Sequence, residues 1–319
     1  MTPTIERPST SDLRVELIDV SERDGLQDEP VFVASSDKVE VARALAEAGV
    51  NLIEATSFVH PKWIPQLADA DTLIAQLPLG PRYSALIMNR RGLERGVAAF
   101  AAAGYAAGSY DLVFVTSASP RHVQQNQNRT IDETLAIFDE IAQSVREQHP
   151  GVSLRAAVSC SFVSPWSDEP IDAGRVVDIL GRLVRGGVRL VSVCDTVGSA
   201  DPVTVGRRID EVRGAFPELT LSLHLHDAAG YALANVYAGL ERGVRMFEGA
   251  LGGLGGCPFA PGAQGNLDSE KLARFLMDCG AQTGIDLEKL AAARRRIRAA
   301  LAAARPIASP GLAHAGTVQ

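Results

Sequence analysis

Cysteine is scarce in this chain: four in 319 residues, at Cys160, Cys194, Cys257 and Cys279, with no Cys-x-x-Cys pair. That scatter excludes a disulfide framework and suits a reducing compartment. No apolar run reaches the ~18 residues that a membrane span requires. Met1–Asp12 lacks both the apolar core of a secretion signal and the arginine-rich pattern of an import signal, and reads as a short disordered tail of a cytoplasmic protein. Basic residues are nowhere gathered except at Arg294-Arg295-Arg296, and the net charge is −7. This argues against electrostatic nucleic-acid binding and leaves the triplet as a solvated helix face. What is present is 46% hydrophobic and 22% charged residues, the balance of a globular protein with a sizeable core.

Short β-rich runs alternate with helical stretches from end to end. The pattern predicts strands at Val15–Val20, Asn51–Thr56, Tyr83–Met88, Asp111–Thr116, Ser153–Ser159, Leu190–Cys194, Leu219–Leu225 and Met246–Ala250. Between them it predicts helices at Ser36–Ala48, Trp63–Leu77, Gly92–Ala103, Ile131–Gln148, Ile171–Arg185, Pro202–Ala215 and Ala229–Arg242, with an eighth at Asp268–Cys279. Ser36 marks one helix start, and Thr130 with Glu133 forms a capping box at another. Gly49, Gly104, Gly186 and Gly243 sit where left-handed helix caps are wanted. Eight unbroken strand–helix units favour a (β/α)8 TIM barrel over a doubly wound sheet. The domain plan is a tail over 1–12, a barrel over 13–285, an additional C-terminal helix over 286–305 and a flexible tail over 306–319. That helix either caps the barrel, lines its mouth or forms a subunit contact.

Barrel enzymes place their chemistry at the C-terminal ends of strands, and the unusual polar residues fall there. Arg23 and Asp24 follow strand one, Glu54 ends strand two, Asp195 follows strand six, and His224, His226 and Asp227 end strand seven. Alternation turns His224 and His226 to the same face. Such a pair is either two solvated imidazoles or half of a metal site. With Asp24 it gives one carboxylate and two imidazoles, and Asn266 offers a neutral amide oxygen. Mixed oxygen and nitrogen donors suit a labile divalent cation, Mg2+ or Mn2+ foremost. Glu54 either holds Arg23 or a metal-bound water, or makes a strand-end salt bridge. The glycine-dense run Leu251–Asn266 lacks the Gly-Lys-Ser/Thr of a phosphate loop and reads as a flap carrying Cys257.

Five segments carry a family likeness: Glu22-Arg23-Asp24-Gly25-Leu26-Gln27; Ile53 to Val59 with Pro61-Lys62-Trp63; Asp195-Thr196-Val197-Gly198; His224-Leu225-His226-Asp227; and Gly252–Phe259 with Gly265-Asn266. In order and spacing they resemble 3-hydroxy-3-methylglutaryl-CoA lyase, one of the metal-dependent barrel lyases, aldolases and Claisen-type synthases. The resemblance implies Asp24, His224, His226 and Asn266 as metal ligands, Arg23 as stabiliser of a thioester enolate, Cys257 as the catalytic thiol, an acyl-CoA substrate and a homodimer. Asp195 or His224 is the candidate base. Gln27, Lys62 and Trp166 are candidate substrate contacts.

The chain departs from that pattern around the substrate. Ser21-Glu22 replaces Gly-Pro, Pro30 replaces a lysine, Val163-Ser164-Pro165-Trp166 replaces Gly-Cys-Pro-Tyr, and Ala228-Ala229 replaces Thr-Tyr. Metal and thiol are kept while the walls change, which predicts the same reaction on a shifted acyl group, with Trp166 refilling lost volume. Rival readings are a synthase joining acetyl-CoA to a 2-oxo acid, a 4-hydroxy-2-oxo acid aldolase, and a non-catalytic barrel.

Overall fold

Strand pairing fixes the architecture. In a computed structural model, which describes residues 13–256 and 265–307, eight parallel strands form one closed barrel. They are β1 (Glu16–Asp19), β2 (Leu52–Ser57), β3 (Arg82–Ile87), β4 (Tyr110–Ser117), β5 (Ser153–Ser159), β6 (Leu190–Asp195), β7 (Thr220–Leu225) and β8 (Met246–Gly249). Each pairs with its sequence neighbours, and β1 pairs with β8 to close the ring, Ile18 opposite Glu248. All eight fall within two residues of the runs expected from alternation. The helices are α1 (Ser35–Glu47), α2 (Ala70–Ile74), α3 (Arg90–Ala102), α4 (Pro120–Gln127), α5 (Ile131–Gln148), α6 (Ala173–Arg185), α7 (Pro202–Ala215), α8 (Ala232–Glu241), α9 (Ser269–Asp278) and α10 (Leu287–Ala303).

The main core lies between the strands' outward faces and the helix ring, where Leu45, Leu73, Phe100, Phe138, Leu180 and Leu276 are buried. Inside the barrel the filling is partly polar. Arg155 on β5 lies 3.6 Å from Glu248 on β8. Strands so far apart in the ring meet only across the lumen.

Local chemistry explains where helices begin. The capping box at Thr130 is present, with the Glu133 amide bound to Thr130 Oγ1 and the Glu133 carboxylate on the Thr130 amide. Asp172 caps α6 through the amides of Gly174 and Arg175, which moves its start from Ile171 to Ala173. Ser36 is no cap: α1 starts after Ala34, and the Ser35 hydroxyl bonds Asp69 at 2.6 Å instead. The long helix expected over Trp63–Leu77 is replaced by a 3-10 turn at Pro65–Leu67 followed by the short α2. Tertiary bonds hold the break: the Gln66 carbonyl accepts from buried Lys38 and the Gln66 side chain donates to Glu29 O, both at 2.8 Å. Gly49, Gly104 and Gly243 adopt positive φ as expected, whereas Gly186 is right-handed and Gly187 turns instead at φ 104.

Helix α4 has no counterpart in the sequence expectation. Ser119 caps it through the His122 amide, Pro120 opens it, and left-handed Asn128 ends it. The additional C-terminal helix is α10. It packs along α1 and α9, burying Leu290, Ala293 and Ile297. Beyond it, Arg305–Pro306 pairs antiparallel with Val31–Phe32. The expected tail over 1–12 lies outside the described residues, as does all but the first two residues of the 306–319 tail.

Candidate active site

The chain leaves β1 in a widened turn. Asp24 N and Gly25 N both donate to Val20 O, at 2.8 and 3.1 Å, making a π-helical turn over Ser21–Gly25. Turns of this kind recur at functional sites because the extra residue re-aims side chains. Here Arg23 and Asp24 are both turned into the barrel mouth. Arg23 Nε donates to the carboxylate of Glu54, which lies inside β2 at a register shift rather than at the expected strand end, and Nη1 donates to Asp24. Burial works against the Arg23 charge, but Asp24 and Glu54 outweigh it and hold the guanidinium protonated. The Glu54 contact is an ion pair with Arg23, which serves both the positioning and the salt-bridge readings of that residue. Gly25 allows close packing: a Cβ there would lie 3.0 Å from that of Leu254.

Strand register assembles the other half. His224 on β7 pairs with Glu248 on β8, and Ser192 on β6 pairs with Ser222 on β7. Glu248 Oε2 lies 2.9 Å from His224 Nδ1, and Oε1 accepts from Ser222 at 2.8 Å and from Ser192. Burial opposes the Glu248 charge, yet the bond and charge of His224, with Arg155 and Ser192, hold its carboxyl down at about 2. Burial also pushes His224 down, but Glu248 and Asp24 reverse this and its imidazolium is stabilised. His226 is pushed down to about 4 by burial and by His224, so its ring is neutral at neutral pH.

The two Nε2 atoms face one another at 3.2 Å, and Asp24 Oδ2 lies 3.7 Å from His224 Nε2. One donor atom from each of Asp24, His224 and His226 falls within 4.8 Å of the others. Burial raises the pKa of Asp24, but Arg23, His224, His226 and Asn266 together hold its carboxyl well below the usual carboxylate range. Two ring nitrogens and a carboxylate oxygen turned toward one point fit a single divalent cation of the Mg2+, Mn2+ or Zn2+ kind. Asn266 adjoins this trio: its Nδ2 donates to Asp24 Oδ2 at 2.8 Å and to Leu254 O at 2.9 Å, which ties the loop after β8 to Asp24.

A cavity of about 410 Å3 opens over this group. Arg23, Asp24, Gln27, Glu54, His224 and His226 line it, with Trp63, Met88, His122 and Asn126 among the other lining residues. Gln27 is therefore where a substrate contact should be. Lys62 and Trp166 are not among the lining residues. Lys62 stacks over Trp63, and Trp166 lies beside Arg121, which is paired to Asp168 away from the mouth. The indole that does line the cavity is Trp63. Asp195 is also absent from the lining: its oxygens accept from Gly198 N at 3.1 Å and Ala200 N at 3.0 Å, bracing the turn after β6. Cys257 lies outside the described residues. A larger surface groove of about 920 Å3, running from Arg121 to Phe216, contains neither histidine nor cysteine.

Sequence reasoning missed Glu248, Arg155 and the polar wall of α4. A signal existed for Glu248, a lone acid in an otherwise apolar strand whose alternation sets it on the face opposite Phe247. It also missed Cys194, whose thiol joins the cavity wall and is pushed well up by burial.

Comparison with known proteins agrees with this geometry. The HMGL-like family model matches residues 14–297. The hydroxymethylglutaryl-CoA lyase YngG of Bacillus subtilis is 36% identical over 89% of this chain and 92% of its own length. The mitochondrial hydroxymethylglutaryl-CoA lyase of Bos taurus is 37% identical over 90% of this chain and 87% of its own. Among solved structures, the HMG-CoA lyase of Brucella melitensis superposes with a TM-score of 0.83 at 37% identity, covering 90% of this chain and 98% of that one. An HMG-CoA lyase of Acinetobacter baumannii, solved with coenzyme A and 3-methylmalate, gives 0.82 at 34% identity over 98% of this chain and 97% of that one. The carboxyl transferase domain of Rhizobium etli pyruvate carboxylase, at 18% identity, shares the fold alone. Strand order, mouth residues and relatives converge, and the chain belongs to the HMGL-like family.

Proposed function

We propose that this chain is a metal-dependent carbon–carbon lyase that splits a 3-hydroxy-3-methylglutaryl-CoA-like tertiary 3-hydroxyacyl-CoA into acetyl-CoA and a 3-oxo acid. The observation that carries the reading is the meeting of Asp24, His224 and His226 with the Arg23–Glu54 pair in one cavity. Relatives named as hydroxymethylglutaryl-CoA lyases, one of them solved with coenzyme A, support the acyl-CoA substrate.

Asp24, His224 and His226 would hold a divalent cation, which when bound would supply the Lewis acidity that lowers the pKa of a substrate's tertiary hydroxyl. The hydroxyl proton leaves, the C2–C3 bond breaks, C3 becomes a ketone, and the bonding pair moves to C2 as the thioester enolate. Arg23 faces the charge that develops on the thioester oxygen. A fixed guanidinium is suited to that task because it stays charged and needs no reorganisation. Glu54 holds its fork in place. Cys257 is proposed to return a proton to C2, which balances the hydroxyl proton lost.

For proton removal, the backbone bonds of Asp195 count against it. His224, the other candidate, donates a hydrogen bond from Nδ1 to Glu248 and turns Nε2 to the cavity, an orientation suited in the neutral ring to binding a cation or taking a proton. The acyl group is proposed to be shifted from the 3-hydroxy-3-methylglutaryl unit on the ground of the departures at Ser21-Glu22, Pro30, Val163-Ser164-Pro165-Trp166 and Ala228-Ala229, with Trp63 rather than Trp166 as the indole in the cavity wall. Assembly as a homodimer and a cytoplasmic location, expected from the sequence, belong to the same proposal. No helix among the described residues is long and apolar enough to cross a membrane.

The test is a panel of 3-hydroxy-3-carboxyalkyl-CoA thioesters offered to metal-stripped and Mn2+-restored protein, with products read by mass spectrometry. Release of acetyl-CoA only after metal is restored is expected. Acetyl-CoA consumption with 2-oxo acids, or full activity without metal, would overturn the assignment.

A further inference from the structure

We propose that Glu248 is a positioning residue: it fixes the tautomer and ring plane of His224 so that Nε2 presents its lone pair to the point shared with Asp24 and His226. The proposal rests on the metal-dependent reading above.

The placement follows from register. His224 and Glu248 are direct partners on adjacent parallel strands, so their side chains leave the same face of the barrel wall. The carboxylate reaches His224 Nδ1 at 2.9 Å with Oε2. Its other oxygen is held by the Ser222 hydroxyl at 2.8 Å and by Ser192, and Arg155 approaches across the lumen at 3.6 Å. Glu248 is 5% exposed and Ser222 fully buried. An ionised carboxylate only accepts hydrogen bonds. In the neutral ring the proton between Glu248 and His224 therefore sits on Nδ1, which leaves the lone pair on Nε2. Clamped at both oxygens, the carboxylate has little freedom to follow the ring, and the ring follows it.

His226 supplies the contrast. Its Nδ1 is buried without a hydrogen-bond partner. Of the two imidazoles, one is oriented from behind by a carboxylate and the other has no such partner at Nδ1. The lumen network of Arg155, Ser192, Ser222 and Glu248 thus does a job that filling space would not require: it directs a nitrogen lone pair. Outer-shell partners of ligating histidines typically change metal affinity by about 10–100-fold when removed.

The experiment compares Glu248→Met, which removes the acceptor at similar volume, with Glu248→Gln, which keeps one acceptor oxygen. Two readouts are taken: the 15N shifts of His224 in metal-free protein, above the pH at which the imidazole titrates, and the Mn2+ dissociation constant by calorimetry. The wild type should show Nδ1–H and a bare Nε2. Glu248→Met should show mixed tautomers and Mn2+ binding about 10–100-fold weaker, with Glu248→Gln in between and closer to wild type. Retention of the wild-type tautomer and of Mn2+ affinity within about twofold in Glu248→Met overturns the proposal. Should that variant fail to fold, Ser192→Ala carries the test: a loosened Nδ1–H signal with weakened Mn2+ binding supports it, and no change in either overturns it. A wild type that shows the fixed tautomer, loses it in the variant and yet binds no Mn2+ leaves the positioning role standing and removes the metal reading instead.

Discussion

Arg23 carries the most demanding single-residue claim. It is buried, paired through Nε and Nη1 to two carboxylates, and set beside the metal trio. A lysine there keeps the charge but loses the planar fork that Glu54 and Asp24 hold. Arg23→Lys should lower kcat by about 10^2–10^3-fold with a smaller change in KM, the cost typical of losing an oxyanion donor. Steady-state kinetics check this, and a kcat within a few-fold of wild type would move the enolate-stabilising role elsewhere.

Asp19, just before that turn, makes a separate claim about stability. It is fully buried, accepts from Ser21 N and from Ser269 Oγ at 2.9 Å each, and ties the start of the chain to α9. Burial raises its carboxyl to about 6, against the lowering effect of those bonds. Between pH ~4 and ~6 the folded state keeps a proton that the unfolded chain has released. Stability from this group therefore falls as pH rises through that window, by about 3 kcal/mol in all. Asp19→Asn, read by urea unfolding at pH 4.5 and pH 7.5, should flatten that fall; an unchanged pH profile would contradict the assignment.

At the scale of elements, the strands were legible and the helix boundaries less so. Every barrel strand is a short apolar run, and parallel strands covered on both faces leave that signature in the sequence. The break at Pro65–Leu67 was not legible because distant partners, Lys38 and Glu29, hold it. Helix α4 was missed because its polar run of Gln and Asn has no apolar stripe. The site was readable where a strand or its end carried an unusual polar residue, as with Arg23, Asp24, Glu54 and the two histidines. It was less readable where a side chain has other partners: Asp195 accepts from the backbone of its own turn, and Trp166 stands beside Arg121. No local pattern distinguishes these cases, since all lie within or shortly after strands.

The turn braced by Asp195 yields its own test. Gly198 sits at φ +70, and a Cβ there would lie 2.7 Å from both Ala228 N and the carbonyl carbon of His226. Gly198→Ala should cost about 1–3 kcal/mol from backbone strain and overpacking. Because the displaced backbone carries His226, Mn2+ affinity should fall as well. Denaturant unfolding and calorimetry on one sample read both, and wild-type values for each would show that the close approach is not needed.

For the whole molecule, the barrel brings together groups far apart in sequence. Asp24 comes from the first strand's end, His224 and His226 from the seventh, Glu248 from the eighth, and ring closure between β1 and β8 makes them neighbours. Lumen polarity and mouth chemistry are parts of one arrangement: Arg155, Ser192 and Ser222 anchor Glu248, and Glu248 anchors His224. The most direct measurement is anomalous diffraction at the manganese edge from crystals of the protein grown with Mn2+. A single strong peak bounded by Asp24, His224 and His226 is the predicted result. A fully loaded crystal with its manganese elsewhere, and none between those three side chains, would contradict it.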